Sequence, residues 1–287
     1  MALSQATLVQ RVRYELGDRP WETTGSAAGA ATVVVVADGT DWSEGDIGEF
    51  VTDGDTFWVQ SIATNDLTAV RGYWGSTAAS HGASSRILKN PRYTFVEITN
   101  AIASVIAERL WPLAWKKVAD TITPSPTTTI WYDVAADARG LIRAVQPYGA
   151  SDLALGFFGI RHTGPRIVFE RNLPTTHATS GVGLQFPDGF YHASNDVAID
   201  YAAKITSTVG AGNYSDLTDG DAVVEAIIYG AAAHLETALE NRKPRKPRQD
   251  RETLRGASVY EAKFEDALRR TNLELKDTIP IMSQRKI

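Results

Sequence analysis

The chain has 287 residues, of which 43% are hydrophobic, so it can bury a core as one large domain or as two smaller ones. Its formal net charge of −5 gives no overall attraction to nucleic acid, so any DNA contact requires a local basic patch. Cysteine is absent, which excludes disulfide scaffolds, cysteine-ligated zinc and thiol nucleophiles, and fits synthesis in a reducing cytoplasm. The N-terminal sequence has no basic region and no apolar stretch, and no uninterrupted apolar run is long enough to cross a bilayer. We therefore expect neither secretion nor membrane spanning.

Residues 1–23 predict a short helix. Ser4 is placed to act as its N-cap, and Gly17 and Pro20 follow its end. The small residues from Thr24 to Ala31 predict a flexible boundary, after which the hydrophobic period changes from helical to strand-like. The predicted helix carries an apolar stripe that requires a partner surface: Leu8, Val9, Val12 and Leu16.

A small β-barrel-like module is predicted over residues 32–90. Its strands are short and are separated by Asp-Gly turns, which is the pattern of antiparallel hairpins. The predicted strands are Thr32–Val36, Ile47–Val51, Thr56–Ile62, Leu67–Val70 and Arg86–Leu88.

Residues 91–117 predict a long central helix. Thr94 and Glu97 form a capping box in front of an apolar stripe that runs from Phe95 to Leu110. The dipeptide Trp111-Pro112 stops this stripe. Together with the N-terminal helix and two C-terminal helices, the central helix is predicted to form a helical scaffold that carries the β-module as an insertion and a second antiparallel β-domain.

A second, antiparallel β-domain is predicted over residues 118–208, and C-terminal helices, a basic linker and a tail over residues 218–287. Asp219 or Asp221 is placed to cap a helix that reaches Leu239, and a last helix is predicted over Ser258–Leu275. The fold class predicted for the whole chain is therefore α+β. The strands predicted for the second β-domain are Ala119–Thr123, Thr129–Val134, Leu141–Gln146, Ile167–Glu170, Gly183–Phe186 and Val197–Ala202.

The most informative segment of the sequence runs from Leu67 to Ala83. A strand that ends in Arg-Gly leads into a glycine-rich turn and then into Thr-Ala-Ala-x-His-x-Ala. This segment and the order of elements around it resemble the neck and connector proteins of tailed bacteriophages. The alternative interpretation is an ordinary hairpin loop, whose glycines permit positive φ and close packing. The residues predicted to contact another subunit or ring are Arg71, Gly72, Tyr73, Trp74, Gly75 and His81.

The resemblance implies a structural virion protein with no catalytic activity and no cofactor. It implies a homo-oligomeric ring, a dodecamer, that joins the portal protein to the next neck or tail protein. Genomic DNA would pass through the channel of this ring. The resemblance further implies assembly in the host cytoplasm, a final location in the virion neck, and no membrane partner.

A basic run interrupted by Pro244 and Pro247 lies between the two C-terminal helices. It predicts contact with DNA phosphates or with an acidic partner surface. The alternative is a solvated linker at the C-terminus of a helix, where cations are favoured. The run comprises Arg242, Lys243, Arg245, Lys246, Arg248 and Arg251.

The C-terminal tail is predicted to dock onto the portal. Pro280 favours an extended backbone before it, and the apolar side chains around it are anchors that a solvated tail does not need. A frayed terminus is the alternative. The predicted docking residues are Ile279, Pro280, Ile281, Met282 and Ile287.

Two other classes of function remain open. A hydrolase would have to use Asp, Glu or His residues that only the fold brings together, because no zinc-binding histidine motif and no G-x-S-x-G sequence occurs. For His81 we predict a hydrogen bond that stabilises its loop, and for Asp38 and Asp41 Asx turns rather than a calcium site. A carbohydrate-binding tail component is the other class, because aromatic residues cluster at helix-to-strand transitions: Trp111, Trp115, Trp131, Tyr132, Phe157 and Phe158.

Overall fold

The computed structural model describes residues 2–29, 31–110, 114–122, 131–133, 138–148, 151–154, 160–163, 166–169, 197–206, 209–210, 212–218, 222–242 and 250–274. The fold is mixed α+β, with four α-helices and a closed six-stranded antiparallel β-barrel. The chain divides into two compact units. The first comprises Met1–Leu110 and Thr206–Thr271, and the second comprises Trp111–Ile205 and Asn272–Ile287.

The helix starts predicted at Ser4 and Thr94 are confirmed in atomic detail. The Ser4 hydroxyl accepts a hydrogen bond of 3.1 Å from the Thr7 N–H, and Thr94 and Glu97 form the reciprocal capping box. The central helix changes its winding at Val105–Arg109, where a π-helical turn replaces the α-helical one. The four α-helices are α1 (Gln5–Glu15), α2 (Phe95–Ser104), α3 (Ala222–Arg242) and α4 (Asp250–Glu274).

The barrel is built from six strands of the first unit, in the order β2-β3-β6-β5-β4-β7. Its interior is aromatic and aliphatic: Trp42 stacks on Phe57 at 5.8 Å between ring centroids, and Phe50, Leu67 and Ile87 surround them. The first unit contains the strands β1 (Ala2–Ser4), β2 (Trp21–Ala27), β3 (Val33–Val36), β4 (Ile47–Phe50), β5 (Thr56–Ala63), β6 (Asp66–Arg71) and β7 (His81–Lys89).

The prediction of a flexible boundary from Thr24 to Ala31 was wrong for its first half, because Thr24–Ala27 belong to β2. The small side chains there serve close packing of strands. A Cβ on Gly25 would lie 2.4 Å from the Val35 carbonyl oxygen, so only glycine allows β3 to approach at this point. The barrel therefore starts at Trp21, eleven residues before the predicted module.

The second predicted sheet is confirmed as antiparallel, with strand order β11-β10-β14-β8, and a three-stranded sheet β12-β13-β9 accompanies it. A further small sheet, β1-β16-β15, belongs to the first unit. The predicted strand Gly183–Phe186 lies outside the described residues. The remaining strands are β8 (Lys116–Ile122), β9 (Trp131–Asp133), β10 (Ala138–Tyr148), β11 (Ser151–Ala154), β12 (Ile160–Thr163), β13 (Arg166–Phe169), β14 (Val197–Ala203), β15 (Val209–Gly210) and β16 (Asn213–Thr218).

Both C-terminal helices are longer than the sequence pattern predicted. Arg242 ends α3 and Arg251 lies within α4, so the two ends of the predicted basic linker are helical. Helix α4 starts at Asp250 rather than at Ser258, because the residues between them include no proline and several good helix formers. The predicted caps Asp219 and Asp221 lie outside the described residues.

Helix α3 is the most buried helix segment of the first unit. A Cβ on Gly230 would lie 2.9 Å from Val105 and 3.0 Å from Phe264, so three helices meet closely there. Among the described helices, the stretch Ala222–Leu239 is long and apolar enough to span a bilayer, and half of it is buried within the chain. A core helix of a globular protein meets the same criterion, so this stretch is only weak support for a membrane span.

A buried ion pair connects the barrel to α1. Arg13 Nη2 donates to Glu49 Oε1 at 2.5 Å, and the exposed fractions of the two side chains are 2% and 0%. Glu49 Oε2 accepts the Phe95 N–H at 2.7 Å, so the same carboxylate also holds the first turn of α2. Arg13 donates in addition to the Tyr93 carbonyl oxygen at 2.9 Å.

We expect Arg13→Met or Glu49→Leu alone to lower the free energy of unfolding by about 3 to 5 kcal/mol, because each leaves one buried charge unpaired. The double variant should lose much less than the sum of the two, because it leaves no buried charge. Urea unfolding followed by tryptophan fluorescence measures both effects. Glu22→Ala is the matched control, since it removes an exposed pair with Arg86 and should cost less than about 1 kcal/mol. Additive effects of the two buried substitutions would contradict this account.

Candidate functional site

The segment that follows β6 has an unusual backbone. Gly72 and Gly75 adopt φ of 68° and 80°, and Trp74 between them adopts φ 53°. Glycine takes these left-handed conformations without steric cost, whereas for tryptophan the conformation costs about 1 to 2 kcal/mol. Tyr73–Gly75 form a short 3-10 turn, which the sequence pattern did not predict. A strained tryptophan held between two glycines is the kind of backbone feature that occurs at functional sites.

A buried network holds this segment in place, and we call it the Asp55 network. Asp55 Oδ2 forms an ion pair with Arg71, accepts the Ala79 N–H at 3.2 Å, and lies 3.1 Å from His81 Nε2. The side chains of Arg71, Asp55 and His81 are only 3%, 0% and 4% exposed. Arg71 also donates to the backbone carbonyl oxygens of Ala79 and Gly29. The two ends of the segment are therefore tied to one buried carboxylate.

The His81 ring packs face to face on Phe50, with 3.7 Å between ring centroids and an interplanar angle of 9°. The guanidinium of Arg71 lies 5.8 Å from the centroid of the same Phe50 ring. The hydrogen bond predicted for His81 is therefore confirmed, and its role is to fix the loop against the barrel core. Among the described residues, no three His, Asp or Glu side chains form a group that could hold a metal ion.

The outer side of the same region carries stacked aromatic rings. Trp58 stacks on Tyr73 at 6.4 Å, and Tyr73 stacks on Trp74 at 5.2 Å. Trp58 and Trp74 are 36% and 52% exposed. In the barrel, Trp58 pairs with Val70 on one side and with Ile47 on the other, which adds two apolar neighbours. We call this surface the aromatic face, and its residues are Ile47, Trp58, Val70, Tyr73 and Trp74.

The structure divides the predicted loop residues into two groups. Arg71 and His81 lie inside and hold the loop, whereas Tyr73 and Trp74 lie outside and form part of the aromatic face. Sequence reasoning missed Asp55, Phe50 and Trp58. The Asp-Gly pattern at Asp53-Gly54 indicates only a turn between strands, and no local signal pairs Asp55 with an arginine 16 residues later.

The basic run, the docking tail and the aromatic residues considered for carbohydrate binding are not among the described residues of the aromatic face. Lys243, Arg245, Lys246 and Arg248 lie outside the described residues, as does the predicted docking tail. Of the aromatic residues considered for carbohydrate binding, Trp111, Phe157 and Phe158 also lie outside, and Trp131 and Tyr132 form part of β9. The Asx turn predicted at Asp38 is confirmed, since its Oδ1 accepts the Thr40 N–H at 2.9 Å. Hydrogen bonds from the hydroxyl and the N–H of Thr40 lower the pKa of Asp38 below its ordinary value.

An open groove of about 610 Å³ lies elsewhere on the first unit, over the outer face of α1. Three of its four charged side chains are engaged in ion pairs of 3.0 Å or less: Glu15 with Lys263, Arg86 with Glu22, and Glu225 with Arg270. These three side chains are therefore not free to act together as reactive groups in the groove.

No protein-family model matches this chain, and a search of curated proteins finds no significantly similar sequence.

We expect Asp55→Asn to loosen the loop, because Arg71 would lose its counter-charge in a buried position, at a cost of about 3 kcal/mol. Amide hydrogen exchange over residues 72–80 should accelerate, and Ala79 should change most because its N–H loses an ionised acceptor. Asp66→Asn is the control, since Asp66 is exposed and forms no ion pair with a described residue. Unchanged exchange in the loop would contradict the role of the Asp55 network.

Proposed function

We propose that this chain is a head-to-tail connector subunit of a tailed bacteriophage, and that it acts by assembling into a ring. The observation that carries the proposal is the aromatic face, an apolar surface that a buried ionic network holds rigid. Exposed aromatic surfaces of this kind are typical of protein contacts, because large rigid side chains bury area at small entropic cost. The resemblance of residues 67–83 to connector loops supports the same assignment.

In this proposal the helices form the scaffold that carries the barrel, and the barrel presents the aromatic face to an adjacent subunit or ring. The ring is a dodecamer that joins the portal to the next neck or tail protein, and genomic DNA passes through its channel. The subunit needs no catalytic residue and no cofactor for this role. It assembles in the host cytoplasm and ends in the virion neck.

A carbohydrate-binding tail component is the second candidate, because stacked exposed tryptophans also bind sugar rings. Binding of glycans to the purified protein, lost in Trp58→Ala and Trp74→Ala, would favour this candidate. No arrangement of described side chains favours the hydrolase alternative over either binding function.

The test of the proposal is electron microscopy of the purified full chain, alone and mixed with its portal. We expect closed rings with a central channel. Native particles that contain this protein only as isolated monomers or as threefold fibres would contradict the connector assignment.

We expect Gly72→Val and Gly75→Val to impair ring assembly while the subunit still folds. Valine is strained at the positive φ of both glycines, so the turn that presents Tyr73 and Trp74 must change. Circular dichroism checks folding, and negative-stain microscopy counts rings. Gly82→Val is the control, because Gly82 has no positive φ and no atom within 4 Å of an added Cβ. Normal rings from the Gly72 and Gly75 variants would remove the loop from the interface.

We also expect deletion of Ile279–Ile287 to leave a folded subunit that no longer attaches to filled heads. The apolar side chains of this tail would bury against the portal, and their loss removes that contact. Co-sedimentation of the purified subunit with heads measures attachment. The substitution Arg285→Ala within the intact tail is the control, because it keeps the apolar anchors. Unchanged attachment after the deletion would place the portal contact elsewhere.

A further inference from the structure

Charge is divided unevenly between the barrel and the segment that connects α3 to α4. Residues 21–90, which contain the barrel, have nine acidic and three basic side chains, a formal charge of −6. Residues 242–251 have six basic and one acidic side chain, a formal charge of +5. Two regions with opposite charge of this size attract each other, and such a contact can form between copies of the chain.

Each of the three basic side chains of the barrel compensates one carboxylate, and Arg13 of α1 compensates Glu49, which leaves five of the nine acidic side chains without a basic side chain of their own among the described residues. Arg71 pairs with Asp55, Arg86 with Glu22, and Lys89 with Asp46. Four carboxylates of the barrel region form no ion pair with any residue that the structure describes: Asp38, Asp41, Glu44 and Asp66. The barrel surface is thus left with a negative field that a basic partner would neutralise.

The sequence of the basic segment matches the aromatic face in a second way. Pro244 and Pro247 are separated by two residues, the spacing of segments that form a polyproline II helix and bind to exposed aromatic side chains. Prolines three residues apart lie on one edge of that helix, about 9 Å apart. The aromatic face offers two successive ring-to-ring steps, of 6.4 and 5.2 Å, over which such an edge can lie.

We propose that the aromatic face binds the basic, proline-containing segment Arg242–Arg251 of a neighbouring copy of this chain. The proline rings lie over Trp58, Tyr73 and Trp74, and the basic side chains face the carboxylates of the barrel. Residues 243–249 lie outside the described residues, and their contribution here is their charge and their prolines. The inference rests on the proposed ring, since it names the contact that joins one subunit to the next.

The absence of cysteine from the chain allows a direct test by cross-linking. One full-length protein carries Thr77→Cys beside the aromatic face, and a second, tagged protein carries Gln249→Cys in the basic segment. We expect a bismaleimide to join the two proteins in a mixture. Val259→Cys replaces Gln249→Cys in the control, because Val259 is 52% exposed on α4 and lies about 12 Å along the helix beyond Arg251.

Cross-linking no greater than with the Val259→Cys control would overturn the proposal. A protein that carries both Thr77→Cys and Gln249→Cys tests the contact within one chain. The proposal would also be overturned if this protein cross-linked only within single chains, both in dilute and in concentrated solution.

A peptide of residues 240–252 tests the chemistry of the contact. We expect it to bind the full-length protein, and we expect Trp58→Ala with Trp74→Ala to weaken binding about tenfold or more, a loss of about 1.4 kcal/mol. Replacing both prolines of the peptide with alanine should have a similar effect. Tyr14→Ala is the matched control, since Tyr14 is 68% exposed on α1 rather than on the barrel. The peptide should bind this variant as tightly as it binds the unchanged protein.

Other outcomes assign the segment differently. Equal binding of the peptide to the tryptophan variant and to the unchanged protein overturns the proposal. Binding of the peptide to duplex DNA but not to the protein also overturns it, and assigns the segment to phosphates. Rings without the cross-link refute this contact and leave the connector assignment standing. Cross-linked open chains without rings support the contact and refute the closed connector.

Discussion

The arrangement of the first unit depends on the contacts that the Glu49 carboxylate makes with α1 and α2. It lies on β4, pairs with Arg13 of α1, and accepts the Phe95 N–H at the start of α2. Burial raises the pKa of Glu49, while Arg13 and the Phe95 N–H oppose that shift by favouring the charged form. Because the pair is buried, neither the barrel nor a helix can move away without leaving a charge without a partner. Asp18 reinforces the same junction, since its carboxylate accepts the N–H groups of Arg92 and Tyr93.

The Asp55 network repeats this arrangement close by, since Thr56, the residue after Asp55, pairs with Glu49 across β4 and β5. Asp55 immediately precedes β5 and follows Gly54, and a Cβ added to Gly54 would lie only 2.3 Å from the Phe95 ring. The turn that carries Asp55 is therefore packed against α2, whose first turn Glu49 holds. The pair of Arg13 and Glu49 thus fixes α2, α2 packs against the turn that carries Asp55, and Asp55 holds the loop. An aromatic surface that is held in this way loses little conformational entropy when a partner covers it, which favours specific binding.

Local signals in the sequence predicted the caps of α1 and α2, five of the six barrel strands and the glycine-rich turn after β6, because each depends on residues close together in the chain. Ser4, Thr94 and Glu97 act within one helical turn, and Asp38 acts within two residues. The contacts that define the site join distant residues. Arg13 and Glu49 are 36 positions apart, and Asp55 and His81 are 26 apart, so no periodic pattern could pair them. Gly25 shows the same limit, since small residues predicted flexibility where the fold uses them for the close approach of two strands.

The surface proposed for assembly also determines which symmetry the assembly can have. The aromatic face and the basic segment are different parts of the chain, so a contact between them on two copies is heterologous. A contact of this type leaves one free aromatic face and one free segment at the ends of any open chain of subunits, and closing the ring joins them. Each contact can then be weak, because closure makes the last one intramolecular and every subunit is held by two neighbours. In the proposed ring the rotation between neighbours would set the number of subunits, and that rotation would depend on the orientation in which the barrel is held to the helices. The buried pair of Arg13 and Glu49 would therefore act on ring size, although it lies outside the contact itself.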